Sequence, residues 1–245
     1  MHLTTTAIVC ALRQHGEHGV VARLMTAEAG LVPGYVRGGR SRRLRPILVP
    51  GNLVAAEFRA RSEEQLATLT VELVTSRAPL LGEPLAAAAI EWSCALTATV
   101  LSDQHPYPRI HQALDGLLSA IEAAPSVRGW AAALVRYEML LLAEMGFGLD
   151  LSRCAASGTT EDLIWVSPKS GMAVSRAAGE PYKDRMLKLP PFMLGAQAGL
   201  APGDVGAGLA LTGHFLEAFI FNPLNRPLPP ARLWLVDRLA EAGRL

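Results

Sequence analysis

Between residues 4 and 75, hydrophobic and polar residues tend to alternate in short runs that are separated by glycine, proline or polar residues. Alternation with a period of two is typical of β-strands that bury one face. Gly30, between the second and third runs, is free to take the positive φ that a tight turn often requires. We therefore predict five strands in a small barrel, with the sequences TTAIVCALR, GVVARLMTA, LVPGYVRGG, NLVAAEFRAR and LATLTVELVT.

After residue 80 the hydrophobic period lengthens to about 3.6, which indicates α-helices, and alanine, leucine and methionine replace the β-branched residues. Pro84 suits the first turn of a helix, and Ser126 is a candidate N-cap. The third helix should bury an apolar stripe that comprises Trp130, Leu134, Tyr137, Leu141 and Met145. The predicted helices span residues 85–101, 110–123, 126–145, 205–221 and 230–242.

Residues 146–185 interrupt the helical pattern. The runs LIWVS and MAVSR flank the turn at residues 168–171 and predict a hairpin in a small non-helical insertion at about residues 150–185. We expect an α+β chain with a barrel domain at residues 1–80 and a helical domain at residues 81–245. The barrel is either an oligonucleotide/oligosaccharide-binding (OB) fold or a similar SH3-like barrel.

Composition narrows the class of protein. Half of the 245 residues are hydrophobic and 18% are charged, which excludes a disordered chain. Three cysteines, an odd number set far apart, do not form a disulfide framework and suit a reducing cytoplasm. Neither a secretion signal nor a sufficiently long uncharged stretch is apparent, so we expect a soluble protein that does not enter a membrane.

Charge is distributed unevenly along the chain. Residues 1–80 contain ten arginines and six glutamates, whereas the remainder is slightly acidic. Five of these arginines lie within nine residues of the stretch YVRGGRSRRLR, which contains no acidic residue: Arg37, Arg40, Arg42, Arg43 and Arg45. A solvated loop without a ligand would account for them, but their guanidinium groups and their place between two barrel strands favour nucleic acid. Gly38 and Gly39 would let the backbone approach phosphates, and few aromatic residues are present for base stacking, only Tyr35 and Phe58.

Signatures of an enzyme are missing. The sequence contains no phosphate-binding loop of the GxxxxGK[ST] type, no HExxH, no GxSxG and no GxGxxG that begins a helix. The histidines are scattered, and the pair His15 and His18 belongs to a predicted surface turn. We predict a non-enzymatic protein without a cofactor; a hydrolase that uses Cys154 or a histidine stays as an alternative.

Three segments resemble the RecO family of bacterial DNA repair proteins, which are recombination mediators. They are AIVCALRQHGE followed by ARLMTAEAG, then VRGGRSRRLRPILVPGN, and finally FLEAFIFNPLNRPLPPARLWLVDRL. The resemblance implies an N-terminal OB domain and a helical C-terminal domain. It also implies binding of single- and double-stranded DNA, annealing of complementary strands, and partnership with RecR and single-stranded-DNA-binding protein (SSB) so that RecA can load.

Many RecO proteins carry two CxxC pairs that bind zinc in the insertion. Here the corresponding segments read Cys154-Ala-Ala-Ser157 and Ser175-Arg-Ala-Ala178. Because three of four thiolates are missing, we expect an insertion that folds without metal. The resemblance implies binding of the acidic, Phe-ended SSB tail, which needs an apolar pocket for the ring and cations for the carboxylates. We select Arg128 and Arg136, on the most apolar helix, as these cations. The alternative to a recombination protein is an RNA-binding OB protein.

Overall fold

The structure, a computed structural model, describes residues 2–62, 65–123, 127–195 and 199–241. Its first five strands form a closed barrel in the order β1-β2-β3-β5-β4. All neighbours in the barrel are antiparallel except β3 and β5, which close it in parallel. The α+β prediction, with an OB-like barrel followed by helices, is confirmed. The strands are β1 His2–His15, β2 Gly19–Thr26, β3 Gly30–Val36, β4 Leu53–Arg59 and β5 Ala67–Thr75.

The alternating residues of these strands fill the interior of the barrel. Phe58, Leu24 and Leu69 belong to one buried cluster to which all five strands contribute. Gly30 has a φ of +67°, and a Cβ atom there would lie 1.8 Å from the carbonyl oxygen of His105. Glycine is therefore required at this turn both by backbone conformation and by space.

Two compact units divide the chain, and we call Met1–Ala123 the barrel unit and Ala124–Leu245 the helical unit. The barrel unit includes α1 Pro84–Val100 and α2 Pro108–Ala123, so these helices group with the barrel. Arg23 of β2 forms an ion pair with Asp103, at 2.5 Å, in the segment between the two helices. The domain boundary near residue 80 stays a prediction.

In the helical unit, α3 Val127–Glu144 packs against α5 Asp204–Leu216. The predicted apolar stripe of α3 is buried from Trp130 to Leu141 and half-buried at Met145. A π-helical turn Glu217–Phe221 continues α5, and α6 Pro230–Glu241 follows. By length and composition alone Asp204–Phe221 could cross a membrane, but 61% of it is buried, which suits a core helix. The proposed N-cap Ser126 lies outside the described residues.

The insertion contains the predicted hairpin. Strands β6 Leu163–Val166 and β7 Ala173–Ser175 are antiparallel, and β8 Leu187–Lys188 adds a third strand in the order β7-β6-β8. The short helix α4 Arg176–Gly179 follows β7. The hairpin prediction is thus confirmed, whereas β8 is too short to show a period in the sequence.

The three cysteines are free and buried. Two of them, Cys10 of β1 and Cys94 of α1, share a side-chain hydrogen bond although they lie far apart in sequence. This hydrogen bond together with burial raises the pKa of Cys10 well above its usual value, so Cys10 stays a protonated, apolar core group at neutral pH.

Candidate nucleic-acid interface

The segment between β3 and β4, residues 37–52, carries the five predicted arginines, and we call it the arginine loop. Its apolar residues anchor it to the barrel: Leu48 belongs to the barrel core, and Leu44 and Ile47 pack against that core. Helical turns order the backbone, since the N–H of Arg45 donates to the Ser41 carbonyl at 2.9 Å. Because apolar and basic residues are interleaved, the apolar side chains attach the loop to the barrel core while the basic side chains face solvent.

All five guanidinium-bearing residues, Arg37, Arg40, Arg42, Arg43 and Arg45, are exposed. The Arg40 backbone N–H donates to the His18 carbonyl at 3.3 Å, and Arg40 Nη1 donates to the Glu17 carbonyl at 3.0 Å. These bonds tie the arginine loop to the turn between β1 and β2. The site therefore includes residues of the β1–β2 hairpin that the sequence pattern did not single out.

The loop arginines differ from Arg59 and Arg77 of the barrel unit in their electrostatic partners. Arg59 pairs with Glu57 at 2.6 Å, and Arg77 lies 3.6 Å and 3.4 Å from Asp115 and Glu122. Within the described ranges, no carboxylate lies at ion-pairing distance from any loop arginine. Their positive charge is consequently left for an anion from outside the chain.

A buried asparagine holds the base of the arginine loop. Asn52 Nδ2 donates to the carbonyls of Pro46 at 3.1 Å and Ile47 at 3.0 Å, and Asn52 Oδ1 accepts the backbone N–H of Arg77 at 2.8 Å. The Arg77 guanidinium also donates to the Gly51 carbonyl at 2.7 Å. Our sequence reasoning missed Asn52, although a polar residue directly after Pro-Gly in an apolar context is a signal for a turn anchor.

The two loop glycines have different roles. Gly38 has a φ of +64° with open space beside it, and its approach to a phosphate stays a prediction. Gly39 is instead buried, and a Cβ there would lie 2.9 Å from Val20 Cβ and 3.1 Å from Leu48 Cδ1. Its lack of a side chain serves packing, which corrects our expectation that both glycines face phosphates.

Aromatic stacking is restricted, as the sequence indicated. Phe58 lies fully inside the barrel core, so its ring is unavailable to a ligand. Tyr35 is half-buried and makes an edge contact with His15, with ring centroids 5.6 Å apart. Phosphate contacts by guanidinium groups are therefore the main chemistry that this surface offers.

The two arginines selected for partner binding lie on α3 in the helical unit. The side chain of Arg128 lies outside the described part of the structure. Arg136 is exposed, but its Nη2 donates to the Phe192 carbonyl at 3.0 Å and its guanidinium carbon lies 5.8 Å from the centroid of the Phe192 ring. Arg136 thus covers the Phe192 ring while some of its five N–H groups are left for another acceptor.

The insertion does not offer a zinc site. Ser157 and Ser175 occupy two positions where the family resemblance implies cysteines. Their side chains hydrogen-bond to the Cys154 sulfur, and the Ser175 N–H donates to it at 3.3 Å. The fourth position is Ala178, and no cluster of three metal-ligating residues occurs among the described residues. One thiolate, two hydroxyls and a methyl group do not fit the tetrahedral ligands that structural zinc requires.

Comparisons with known proteins assign both parts of the chain. A family model described as "Recombination protein O N terminal" matches residues 1–77, and one described as "Recombination protein O C terminal" matches residues 82–227. The "DNA repair protein RecO" of Phenylobacterium zucineum is 54% identical over 246 residues and is covered fully, as is this chain. The protein of the same name from Caulobacter vibrioides strain NA1000 is 50% identical, and the match covers 98% of this chain and 98% of that protein. The one from Rhodospirillum centenum is 46% identical, and the match covers 99% of this chain and 96% of that protein.

Proposed function

Since the chain belongs to the RecO family of DNA repair proteins, we propose that it is a non-enzymatic recombination mediator whose arginine loop binds DNA phosphates. The observation that carries this proposal is the set of five exposed arginines without a carboxylate partner among the described residues. The loop binds both single- and double-stranded DNA, because phosphates are common to both. A cytoplasmic location suits this function and the three free cysteines.

Annealing of complementary strands needs no catalytic residue. Two DNA strands repel each other, and a protein that neutralises phosphates on both lowers this barrier and raises their local concentration. A fixed array of guanidinium groups supplies that neutralisation. No cofactor enters this mechanism.

The salt dependence of binding tests the arginine loop. Replacement of Arg40, Arg42 and Arg43 by alanine should weaken binding to all single strands and flatten the slope of log K against log salt by up to about 2, since each lost contact contributes about 0.7. A control with the same change of net charge replaces three exposed arginines of the helical unit, Arg153, Arg185 and Arg226. If the slope is unchanged in the loop variant, or falls equally in the control, the loop is not the main phosphate site.

We assign the partner surfaces to the helical unit. RecR and the SSB tail are the proposed partners, with Arg128 and Arg136 as contacts for the tail carboxylates. Charge reversal at both arginines should abolish binding of a tail peptide, while annealing of naked DNA stays near normal. The melting temperature of the variant provides the check on folding, because Arg136 also bonds to Phe192. Tail binding that survives, or annealing that falls in a folded variant, would contradict the separation of roles.

RNA binding by the same barrel is the second candidate function, since phosphate contacts do not distinguish the two nucleic acids. Competition between RNA and DNA of one sequence separates them. Loading of RecA on SSB-coated DNA, with and without RecR, tests the mediator role itself.

A further inference from the structure

A cleft of about 460 Å³ opens between the arginine loop and the outer end of the β1–β2 hairpin. Arg40 and Arg45 line it from the loop, and Leu12 and Gln14 line it from β1. The volume lies in the range of about 300–1,000 Å³ that is typical of pockets for small ligands. The space is therefore large enough for one nucleotide, whereas a bare phosphate would fill a small part of it.

The lining of the cleft is divided by chemistry. Leu12 and Gln14 lie two residues apart on β1 and so project to the same side of the strand, and Leu12 is 38% exposed although it is apolar. Val20 and Leu48 add an apolar floor, and the two arginines supply the positive charge. An apolar floor, one neutral amide and two cations together match a base or sugar that is joined to a phosphate.

The cleft keeps its shape because both walls are fixed. The hydrogen bonds of Arg40 to Glu17 and His18 connect the loop to the hairpin turn, and Gly39 packs directly on Val20 and Leu48. A wall that is already ordered loses little conformational entropy on binding.

We propose that this cleft holds one unpaired nucleotide of a single strand, with the base or sugar against Leu12, the amide of Gln14 on the base edge, and the phosphate between Arg40 and Arg45. This inference rests on the proposed DNA binding and adds a subsite that distinguishes unpaired from paired bases. A paired base is held in the duplex stack and cannot enter the cleft, whereas an unpaired base is free to do so. Single strands therefore gain a contact here that duplexes lack.

The test compares two oligonucleotides of equal charge, dT15 and the same backbone with abasic sites, by fluorescence anisotropy. The wild-type protein should bind dT15 about three- to tenfold more tightly, since one hydrogen bond and one apolar contact depend on the base. The double variant Leu12→Ala/Gln14→Ala removes no charge and alters two exposed residues. It should reduce the ratio of the affinities for dT15 and abasic DNA towards one, while the slope of log K against log salt and the affinity for duplex DNA stay unchanged.

Gln112→Ala, at an exposed glutamine on α2, is the matched control and should keep the full preference. Equal binding of dT15 and abasic DNA by the wild-type protein would overturn the inference, and so would a preference that persists in the double variant. In both cases the effect of the arginine variant on the salt slope would still stand. Failure of the subsite is therefore distinguishable from failure of the proposed DNA binding.

Discussion

Replacement of Asn52 by alanine should destabilise the barrel unit by detaching the base of the arginine loop. Asn52 is fully buried, and its amide makes three hydrogen bonds, to the carbonyls of Pro46 and Ile47 and from the N–H of Arg77. Each such bond contributes about 1 kcal/mol net, and a buried group that is left unsatisfied costs about 1–3 kcal/mol.

The three groups that hydrogen-bond to Asn52 differ in whether water can replace the lost bond in the variant. Pro46 is exposed and Ile47 is half-buried, so their carbonyls can turn to water. The Arg77 N–H belongs to a buried residue and has no such access. We therefore expect a loss of about 2–4 kcal/mol in the free energy of unfolding, most of it from the N–H of Arg77.

Urea unfolding followed by circular dichroism measures this loss, and limited trypsin digestion reports the loop directly because trypsin cleaves after arginine. The loop of Asn52→Ala should be cut faster than that of the wild-type protein. The exposed Asn222 provides a control, and Asn222→Ala should change stability by less than about 0.5 kcal/mol. A loss below about 1 kcal/mol together with unchanged digestion of the loop would refute the role of Asn52 as an anchor.

Other parts of the chain carry further predictions. Gly30→Ala should cost at least about 2 kcal/mol in chemical unfolding, because the left-handed backbone costs about 1 kcal/mol or more and the new methyl group meets the carbonyl of His105; a near-neutral variant would contradict the geometry. Glu138→Ala should lower the free energy of unfolding by about 3–5 kcal/mol, because the buried guanidinium of Arg232 loses the carboxylate that lies 3.2 Å away in the wild-type protein. The double variant E138L/R232M should recover part of that loss. Burial raises the pKa of Cys154, but hydrogen bonds from Ser157 and Ser175 outweigh it and lower the pKa to about 6. The stabilisation by this thiolate should thus be lost as the pH falls through 6. The difference in melting temperature between the wild-type protein and Cys154→Ala should therefore grow from pH 6 to 9. Melting temperatures of the two proteins that change in parallel with pH would contradict this prediction. Metal analysis should find far less than one zinc per chain, and a strong chelator should leave the melting temperature unchanged.

The barrel and the charge of its loop could be predicted from sequence because both depend on local patterns. Each strand shows its own alternation, and five like charges within nine residues must face either water or an anion. The cleft could not be predicted in this way, since Gln14 belongs to β1 and Arg45 to the loop after β3, and both line one space only because that loop packs on Val20 of β2. The ion pairs of Arg77 could not be predicted from the sequence either, because Asp115 and Glu122 belong to a helix about 40 residues later.

The insertion forms a turn and a hairpin although three of the four positions that the family resemblance assigns to zinc ligands are serine or alanine. Cys154 still sits in a tight turn, with its N–H donating to Thr159 at 2.7 Å and the N–H of Gly158 donating to its carbonyl at 2.9 Å. The side chains of Ser157 and Ser175 hydrogen-bond to its sulfur. A few hydrogen bonds of about 1 kcal/mol each cannot match the apparent 10–16 kcal/mol of a structural zinc ion. The remaining stability must come from packing, and Gly171 at the hairpin turn provides such a contact, since a Cβ there would lie 3.1 Å from Leu149 and 3.8 Å from Phe215 of α5. The hairpin therefore packs closely against the core of the helical unit, and an insertion that folds without metal stays a prediction.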